Sequence, residues 1–275
     1  MDNGPLKVIL DNIEDLRVAV IRSGIPVLIF FVIFLMFDVR TVTFFGRIIP
    51  VIYPDPYHNM GAQFLQLLIL HVITEKFQLL AIKPTDGVVA DFYSCLFLSA
   101  IVTSPNFYYQ ISKFIGPALK ANEKELLRIT LTPALILFLI GSFIGIYFVA
   151  PLVFQILYQF DIGVGAQPTM SITSFVSFFL IYVIAFGLSF ETPVIMVGLT
   201  YMGVVPAKYW SDNWRYAVVA ALIFGVIFSP GMTGVTMMLL AIPIIILYFI
   251  GISASKRIQK RKDLKDAINE TVSEK

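Results

Sequence analysis

Charged residues are scarce in this chain, and their scarcity excludes an ordinary soluble domain. Only 14% of the 275 residues are Asp, Glu, Lys or Arg, whereas about 25% is usual in soluble proteins. Hydrophobic residues make up 58% of the chain, and the mean hydropathy is +0.85. The sequence therefore predicts an all-α polytopic membrane protein whose surplus apolar surface faces lipid.

Cysteine and histidine are almost absent, which removes several classes of site. The single Cys95 excludes an internal disulfide framework and, within an apolar run, is interpreted as a small buried thiol. The two histidines, His58 and His71, form no H-E-x-x-H motif, and no nucleotide-binding G-x-x-x-x-G-K-[ST] occurs. The N-terminus lacks the basic start and apolar core of a removed signal peptide. We therefore expect no metal, no cofactor and no enzymatic activity.

Long apolar runs are what the sequence has in abundance. About 20 such residues cross a bilayer as a helix, and six runs qualify as candidate spans: residues 18–37, 88–109, 129–160, 171–201, 216–228 and 235–252. The last two are short and are separated by Ser229-Pro230-Gly231, where Pro and Gly break a helix. We expect a single six-helix membrane domain over residues 1–255 and a charged cytoplasmic tail over residues 256–275.

The segment between the first two spans, residues 38–87, is predicted to be a long outer loop. Its apolar stretch at residues 63–73 is too short to span, and a helix lying in the membrane interface fits better. With six spans, 16 of the 20 Lys and Arg residues fall on the face that carries both termini. Because positive charge marks the inner face, we expect a cell-membrane protein with both ends in the cytoplasm. The basic cluster of the tail is expected to touch anionic lipid.

Glu191 interrupts one of the longest charge-free stretches of the chain. A carboxylate at membrane depth needs a partner, a wet cavity or a proton, so an intramembrane acid is a functional candidate. It could serve in a proton- or cation-coupled secondary transporter, although the two halves of the chain show no internal repeat. It could also only stabilise the fold. An intramembrane enzyme is the weaker alternative, since no nucleophile–base set is apparent.

Two further acids, Asp15 and Glu123, flank the cytoplasmic ends of the first spans among apolar and aromatic residues. Partly desolvated carboxylates bind guanidinium groups well, so such a site would suit a ligand bearing arginines. Internal pairing with Arg17 and Lys124 is the alternative. In the third span, Gly141-x-x-x-Gly145 is interpreted as a close-packing motif.

The order and spacing of several motifs resemble the TatC family, the multispanning receptor subunit of the twin-arginine protein translocase. The residues that carry the resemblance are Asn12-Ile13-Glu14-Asp15-Leu16-Arg17, then Pro105, Tyr109, Gln110, Phe114, Pro117, Leu119 and Glu123, then Phe186, Gly187, Phe190, Glu191 and Pro193. The chain departs from the family pattern at Asn12, Ala19, Met232 and Phe249, which suggests a divergent, archaeal-type member.

The resemblance implies a function and its residues. TatC-like proteins bind the twin-arginine signal peptides of folded precursors at the cytoplasmic face, which would assign Asp15, Arg17 and Glu123, with Phe114 and Leu119, to that site. They also recruit single-span TatA/TatB-type partners into homo- or hetero-oligomers, and transport is driven by the proton-motive force. The implied intramembrane and partner-binding residues are Glu191, Val226, Ser229 and Thr236.

Overall fold

The computed structural model describes residues 5–44, 47–73, 77–115, 124–229 and 234–273. Its α-helices are α1 (Pro5–Met36), α2 (Met60–Val72), α3 (Asp86–Ile115), α4 (Lys124–Ile144), α5 (Ala150–Gly163), α6 (Ile172–Ser189), α7 (Thr192–Tyr201), α8 (Ala207–Asp212), α9 (Trp214–Phe228) and α10 (Gly234–Ser273). The strands are β1 (Phe37–Phe44), β2 (Arg47–Pro54), β3 (Gln78–Leu80) and β4 (Thr169–Ser171). A π-helical turn, Gly145–Val149, joins α4 to α5.

Five helical stretches of the described residues are long and apolar enough to cross a membrane. They are Leu16–Met36, Asp86–Phe114, Thr130–Gly163, Ile172–Tyr201 and Gly234–Leu264. Two shorter apolar helices, α2 and α9, accompany them. The prediction of a helical polytopic membrane protein is confirmed at this level. Helix α2 has 13 residues and is therefore too short for a span that needs about 20.

The prediction that the last two helices are both short is right for α9 and wrong for α10. Helix α9 has 15 residues, but α10 continues for 40 residues without a break. Its charged part, from Lys256 onward, contains neither Gly nor Pro and is rich in Lys and Arg. These residues favour a helix, so the chain has no local reason to stop where the apolar part ends.

The predicted outer loop contains a β-hairpin that the sequence did not reveal. Strands β1 and β2 pair antiparallel, with Phe37 opposite Pro54 and Phe44 opposite Arg47. Their Val, Ile and Thr residues favour strands. Pro50 argues against a strand within a sheet, but both strands of an isolated hairpin are edges, and an edge tolerates a missing amide.

The chain divides into two compact units. The first contains residues 1–120 and 161–180, and in it α1 packs along α3 while α2 lies on α3. The approach of α2 to α3 is close at Gly61, where an added Cβ atom would collide with the Cys95 Sγ and lie 2.8 Å from Asp91 Oδ1. The parallel pair β3–β4 joins residue 78 to residue 169 within this unit.

The second unit contains residues 121–160 and 181–275. Helix α10 packs there against α7, α8 and α9, and α4 packs against α7. A buried cluster of Met196, Tyr248 and Ile252 joins α7 to α10, with Trp210 of α8 packed against it. The predicted boundary at residue 255 falls inside α10, which is continuous through that position.

Candidate functional site

The helix that carries Glu191 is broken at that residue. Helix α6 ends at Ser189 and α7 begins at Thr192, so Phe190 and Glu191 form a turn between them. Pro193 causes the break, because it lacks an amide hydrogen and its ring would clash with the carbonyl of Ser189 four residues earlier. The Thr192 hydroxyl donates to the Ser189 carbonyl at 2.7 Å and so satisfies it. The sequence interpretation of residues 171–201 as one span did not contain this break.

The break places the Glu191 carboxyl at the start of α7, where the helix dipole favours negative charge. The side chain is 8% exposed, and the Glu191 carbonyl accepts the first bond of α7 from the Ile195 amide at 2.9 Å. Glu191 is thus a buried acid at the junction of two helices, and its functional role stays a prediction.

Helix α4 fixes this turn by close packing. An added Cβ atom on Gly141 would lie 2.6 Å from the Phe190 ring, and one on Gly187 would lie 2.5 Å from the Ser142 hydroxyl oxygen. An added Cβ atom on Gly145 would lie 3.5 Å from the Phe186 side chain, at ordinary contact distance. The interpretation of Gly141-x-x-x-Gly145 as a packing motif is confirmed, and its contacts hold the residue next to Glu191.

Helix α10 supports the other side of α7. An added Cβ atom on Gly251 would lie 2.5 Å from the Met196 sulfur and 3.2 Å from the Pro193 Cα. Because both Pro193 and Met196 belong to the first turns of α7, α10 fixes the half-helix that begins beside Glu191.

Ser229 and Thr236, which the sequence assigned to a partner-binding face, lie together. The Ser229 hydroxyl donates to the Thr236 hydroxyl at 2.6 Å, and both side chains are buried. Gly225 lets the helices approach, since an added Cβ atom would lie 2.7 Å from the Met237 carbonyl oxygen. This pair therefore connects α9 to α10, and residues 230–233 between them lie outside the described residues.

Val226 lies on the opposite side of α9. It is 43% exposed and belongs to an apolar exposed face with Ile223 and Ile227. Ala221 and Gly225 lie on the other side of this helix and are buried. The predicted partner-binding set thus divides into an internal hydroxyl pair and an outward apolar face.

Helices α1 and α3 run antiparallel, which brings the predicted peptide-binding ends together. The Phe31 and Phe92 rings meet edge to face at 6.0 Å near one end, and Asn106 Nδ2 donates to the Arg22 carbonyl at 3.3 Å near the other. Residues before Arg22 and after Asn106 therefore lie at the same end of the pair. Asp15 in α1 and Phe114 in α3 satisfy that condition.

The side chains of this end are described only in part. Arg17 is exposed and Phe114 is half-buried. The Asp15 side chain, Leu119 and Glu123 lie outside the described residues. Gln110, which belongs to the motif that carries the resemblance, donates from Nε2 to Asn106 Oδ1 at 3.4 Å and so extends the Asn106–Arg22 connection.

Polar residues of the outer segment form a network that sequence reasoning missed. The Asp38 carboxylate is buried and accepts bonds from the Arg40 guanidinium, at 2.5 Å, and from the Gln63 amide. The same Arg40 donates to Asp55 at 2.5 Å. These contacts join the hairpin to α2. No sequence motif predicts them, because the partners are up to 25 residues apart.

The Asp55 carboxylate also organises the turn before α2. The Tyr57 amide donates to it at 3.0 Å and the His58 amide at 3.2 Å. The hydrogen bond from the Tyr57 amide is the main reason that the pKa of Asp55 lies below its ordinary value. Hydrogen bonds from the His58 ring and amide lower it further. The hydrogen bond to Asp38 raises the pKa of Arg40. Arg40 and Asp55 are therefore both charged at neutral pH.

Asn59 connects that turn to α3. Its Nδ2 donates to the Asp91 carboxylate at 2.6 Å, and its Oδ1 accepts from the Ala62 amide at 2.8 Å as the N-cap of α2. Among the described residues, no group of three or more His, Cys, Asp and Glu side chains is arranged to hold a metal ion.

Comparison with known proteins gives the following similarities. The family model described as Sec-independent protein translocase protein (TatC) matches residues 11–243. A TatC protein of Cenarchaeum symbiosum is 30% identical over 247 residues, which cover 90% of this chain and 92% of the relative. A TatC protein of Carboxydothermus hydrogenoformans is 27% identical over 262 residues, covering 95% and 98%.

Two solved structures have a similar fold. One, described as the crystal structure of the twin arginine translocase receptor TatC, superposes with a TM-score of 0.69 at 27% identity and covers 90% of this chain and 99% of that one. The second, the same receptor in a detergent, gives a TM-score of 0.72 at 26% identity, with coverage of 89% and 99%.

Proposed function

Because this chain belongs to the TatC family of Sec-independent protein translocase proteins, it is a receptor subunit of the twin-arginine translocase and not an enzyme, and we propose that it binds twin-arginine signal peptides at its cytoplasmic face. The single observation that carries this proposal is the family match, which extends over residues 11–243 and so includes every motif that suggested the site.

Asp15 and Glu123 are the proposed acceptors for the two arginines of the peptide. A guanidinium group presents a rigid, planar set of donors that matches a carboxylate in two parallel hydrogen bonds. Such charge-assisted bonds are about twice as strong as neutral ones. The antiparallel arrangement of α1 and α3 supports the proposal, because Asp15 and Phe114 lie at one end of this helix pair. Arg17, Phe114 and Leu119 are proposed to complete the surface.

The proposed orientation has six spans, with both termini in the cytoplasm of a cell-membrane protein. Helix α9 is the short fifth span, and its 15 residues fit a thinned bilayer or a site covered by a partner helix. The excess of Lys and Arg on the inner face, 16 of 20, supports this orientation.

A second proposed surface recruits single-span TatA/TatB-type subunits. The outward apolar face of α9 at Val226 would contact the partner helix, while the Ser229–Thr236 hydroxyl pair holds α9 on α10. Glu191 would supply a polar intramembrane contact. We propose that the proton-motive force supplies the energy for transport.

The peptide site is tested by binding of a labelled twin-arginine signal peptide to the purified protein. Asp15→Asn and Glu123→Gln should each weaken binding by about 1.5–3 kcal/mol, the usual contribution of a hydrogen bond to a charged group. Glu14→Gln is a matched control, since Glu14 neighbours Asp15 and is exposed.

A twin-lysine peptide should bind wild type weakly, because lysine cannot form the paired bonds. Unchanged affinity in both variants, or the same loss in Glu14→Gln, would contradict the assignment of these acids.

A further inference from the structure

A basic pocket lies between the short helix α8 and the charged part of α10. It is an open surface pocket of about 350 Å³, lined by polar side chains of both helices: Lys208, Ser211, Lys256, Gln259, Lys260 and Asp263. The lining thus contains three lysine ammonium groups and one carboxylate. Among the described ion pairs, none joins these lysines to Asp263 or to any other acid. The pocket therefore keeps an excess of two positive charges.

The walls of this basic pocket are fixed by hydrogen bonds. The Ala207 amide at the start of α8 donates to Gln259 Oε1 of α10 at 2.7 Å. The Trp210 indole donates to the Thr200 hydroxyl at 3.0 Å, and the Tyr248 hydroxyl donates to the Trp210 carbonyl at 2.8 Å. Helix α8 is thereby held against both α7 and α10, so the spacing of Lys208 from the lysines of α10 is set by the fold.

The basic pocket lies where the apolar part of the protein ends. From Gly234 to Ser255, α10 carries no charged side chain, and Lys256 is its first charge. Exposed aromatic residues flank the pocket along the chain: Tyr209 is 53% exposed, Trp214 41% and Tyr216 76%. Tyr and Trp concentrate at the level of lipid headgroups. The lysines therefore lie at the depth of the phosphate groups of the bilayer.

We propose that the basic pocket binds the phosphate of an anionic phospholipid headgroup. Basic pockets between helices at the membrane surface bind such headgroups, and lysine suits this ligand because its flexible stem brings a compact charge to a phosphate without a fixed geometry. The excess of two positive charges favours a lipid of net negative charge over a zwitterionic one. The orientation proposed above assigns the lipid to the inner leaflet, but the chemistry of the pocket does not depend on that orientation.

Lipid binding to the full-length protein in a neutral detergent tests the proposal by native mass spectrometry. Phosphatidylglycerol should bind with higher affinity than phosphatidylcholine. Lys256→Gln/Lys260→Gln should weaken phosphatidylglycerol binding about 25-fold, at about fivefold for each lysine near an anionic surface, and Lys208→Gln alone about fivefold. The matched control is Arg257→Gln/Arg261→Gln, which removes the same charge from exposed positions of the same helix that do not line the pocket. That control should change affinity much less, because these guanidinium groups lie outside the pocket and are screened by solvent.

Three results would overturn the proposal. Equal losses in the two double variants would mean that binding follows the general charge of the tail. Normal binding by Lys208→Gln would remove α8 from the site. Competition by inorganic phosphate at concentrations equal to the lipid would identify a free anion as the ligand. Signal-peptide binding, measured on the same variants, should stay normal, so that failure of this proposal is distinguishable from failure of the receptor site.

Discussion

At the scale of single residues, Glu191 gives the most direct test of the membrane interior. The residue is 8% exposed and lies at the start of α7. If it contacts a partner helix, one substitution should weaken assembly by less than about 2 kcal/mol, as interhelical hydrogen bonds in membranes do. We expect Glu191→Ala to lower transport and partner co-purification, with peptide binding intact, and Glu191→Gln to be milder.

Two outcomes would change this interpretation of Glu191. A Gln variant as inactive as the Ala variant would indicate that the carboxyl must titrate, as in a proton-coupled transporter. Normal transport and co-purification by Glu191→Ala would leave this residue with a role in the fold alone.

The packing of Gly141 on the Phe190 ring gives a prediction about stability. In Gly141→Ala the new methyl group would lie 2.6 Å from the ring, so the ring or the helix that carries it must shift. Overpacking of this kind costs about 1–3 kcal/mol, and thermal unfolding in detergent should show it. Gly24→Ala is the control, because nothing lies within 4 Å of its added methyl. That change should be neutral or slightly stabilising, as alanine favours a helix. An equal melting temperature for both variants would contradict the packing.

Sequence reasoning singled out residues that their own segment marks: the packing at Gly141 is confirmed, and Glu191 is buried, while its role stays a prediction. Glu191 stands out because its surroundings are apolar, and Gly141 because of its spacing from Gly145. It failed for residues whose partners are remote. Asn59 is polar and lies in a loop, yet it is fully buried between α2 and Asp91, 32 residues away. A pattern along the chain does not contain such a contact.

At the scale of elements, the turn before α2 should respond to acid. The hydrogen bond from the Tyr57 amide, with those from His58, places the folded pKa of Asp55 below its ordinary value of 3.8. The stabilisation is therefore complete above that value and is lost as the pH falls through the lower folded pKa.

Hydrogen exchange corrected for intrinsic rates should show protection of the Tyr57 amide that is constant from about pH 8 to 5 and falls below about pH 4. Asp55→Asn should abolish this dependence. Protection that persists at pH 2 would show that the carboxylate does not hold the turn.

The elements themselves were predicted unevenly, for physical reasons. Apolar runs specify spans because lipid forces every backbone group to bond within its own helix. The β1–β2 hairpin escaped because Pro50 and Pro54 suggested a loop, although edge strands accept proline. The break at Glu191 was missed because a hydropathy pattern does not register the helix-breaking effect of Pro193. The length of α10 was missed because charged residues end a membrane span without ending the helix.

At the scale of the whole molecule, orientation is the quantity that the charge distribution predicts. Reporters fused after Lys120, Lys208 and Lys275 should be cytoplasmic, and those after Asn59 and Asp161 external. The reason is the concentration of Lys and Arg on one face together with an even number of spans. A protease-protection or alkaline-phosphatase assay measures each fusion. An external reporter after Lys275, with the others as expected, would mean that α9 does not cross.

The uninterrupted course of α10 has a consequence for reach. Each residue of a helix advances about 1.5 Å, so the stretch from Lys256 to Ser273 extends as far as about 27 Å from the apolar boundary. A continuous helix of this length is a rigid extension and not a flexible linker. A fluorophore attached at Ser273 should therefore be held farther from the bilayer than one on a flexible tail of the same length. In the proposed orientation, the helix would set the clearance available to a folded precursor.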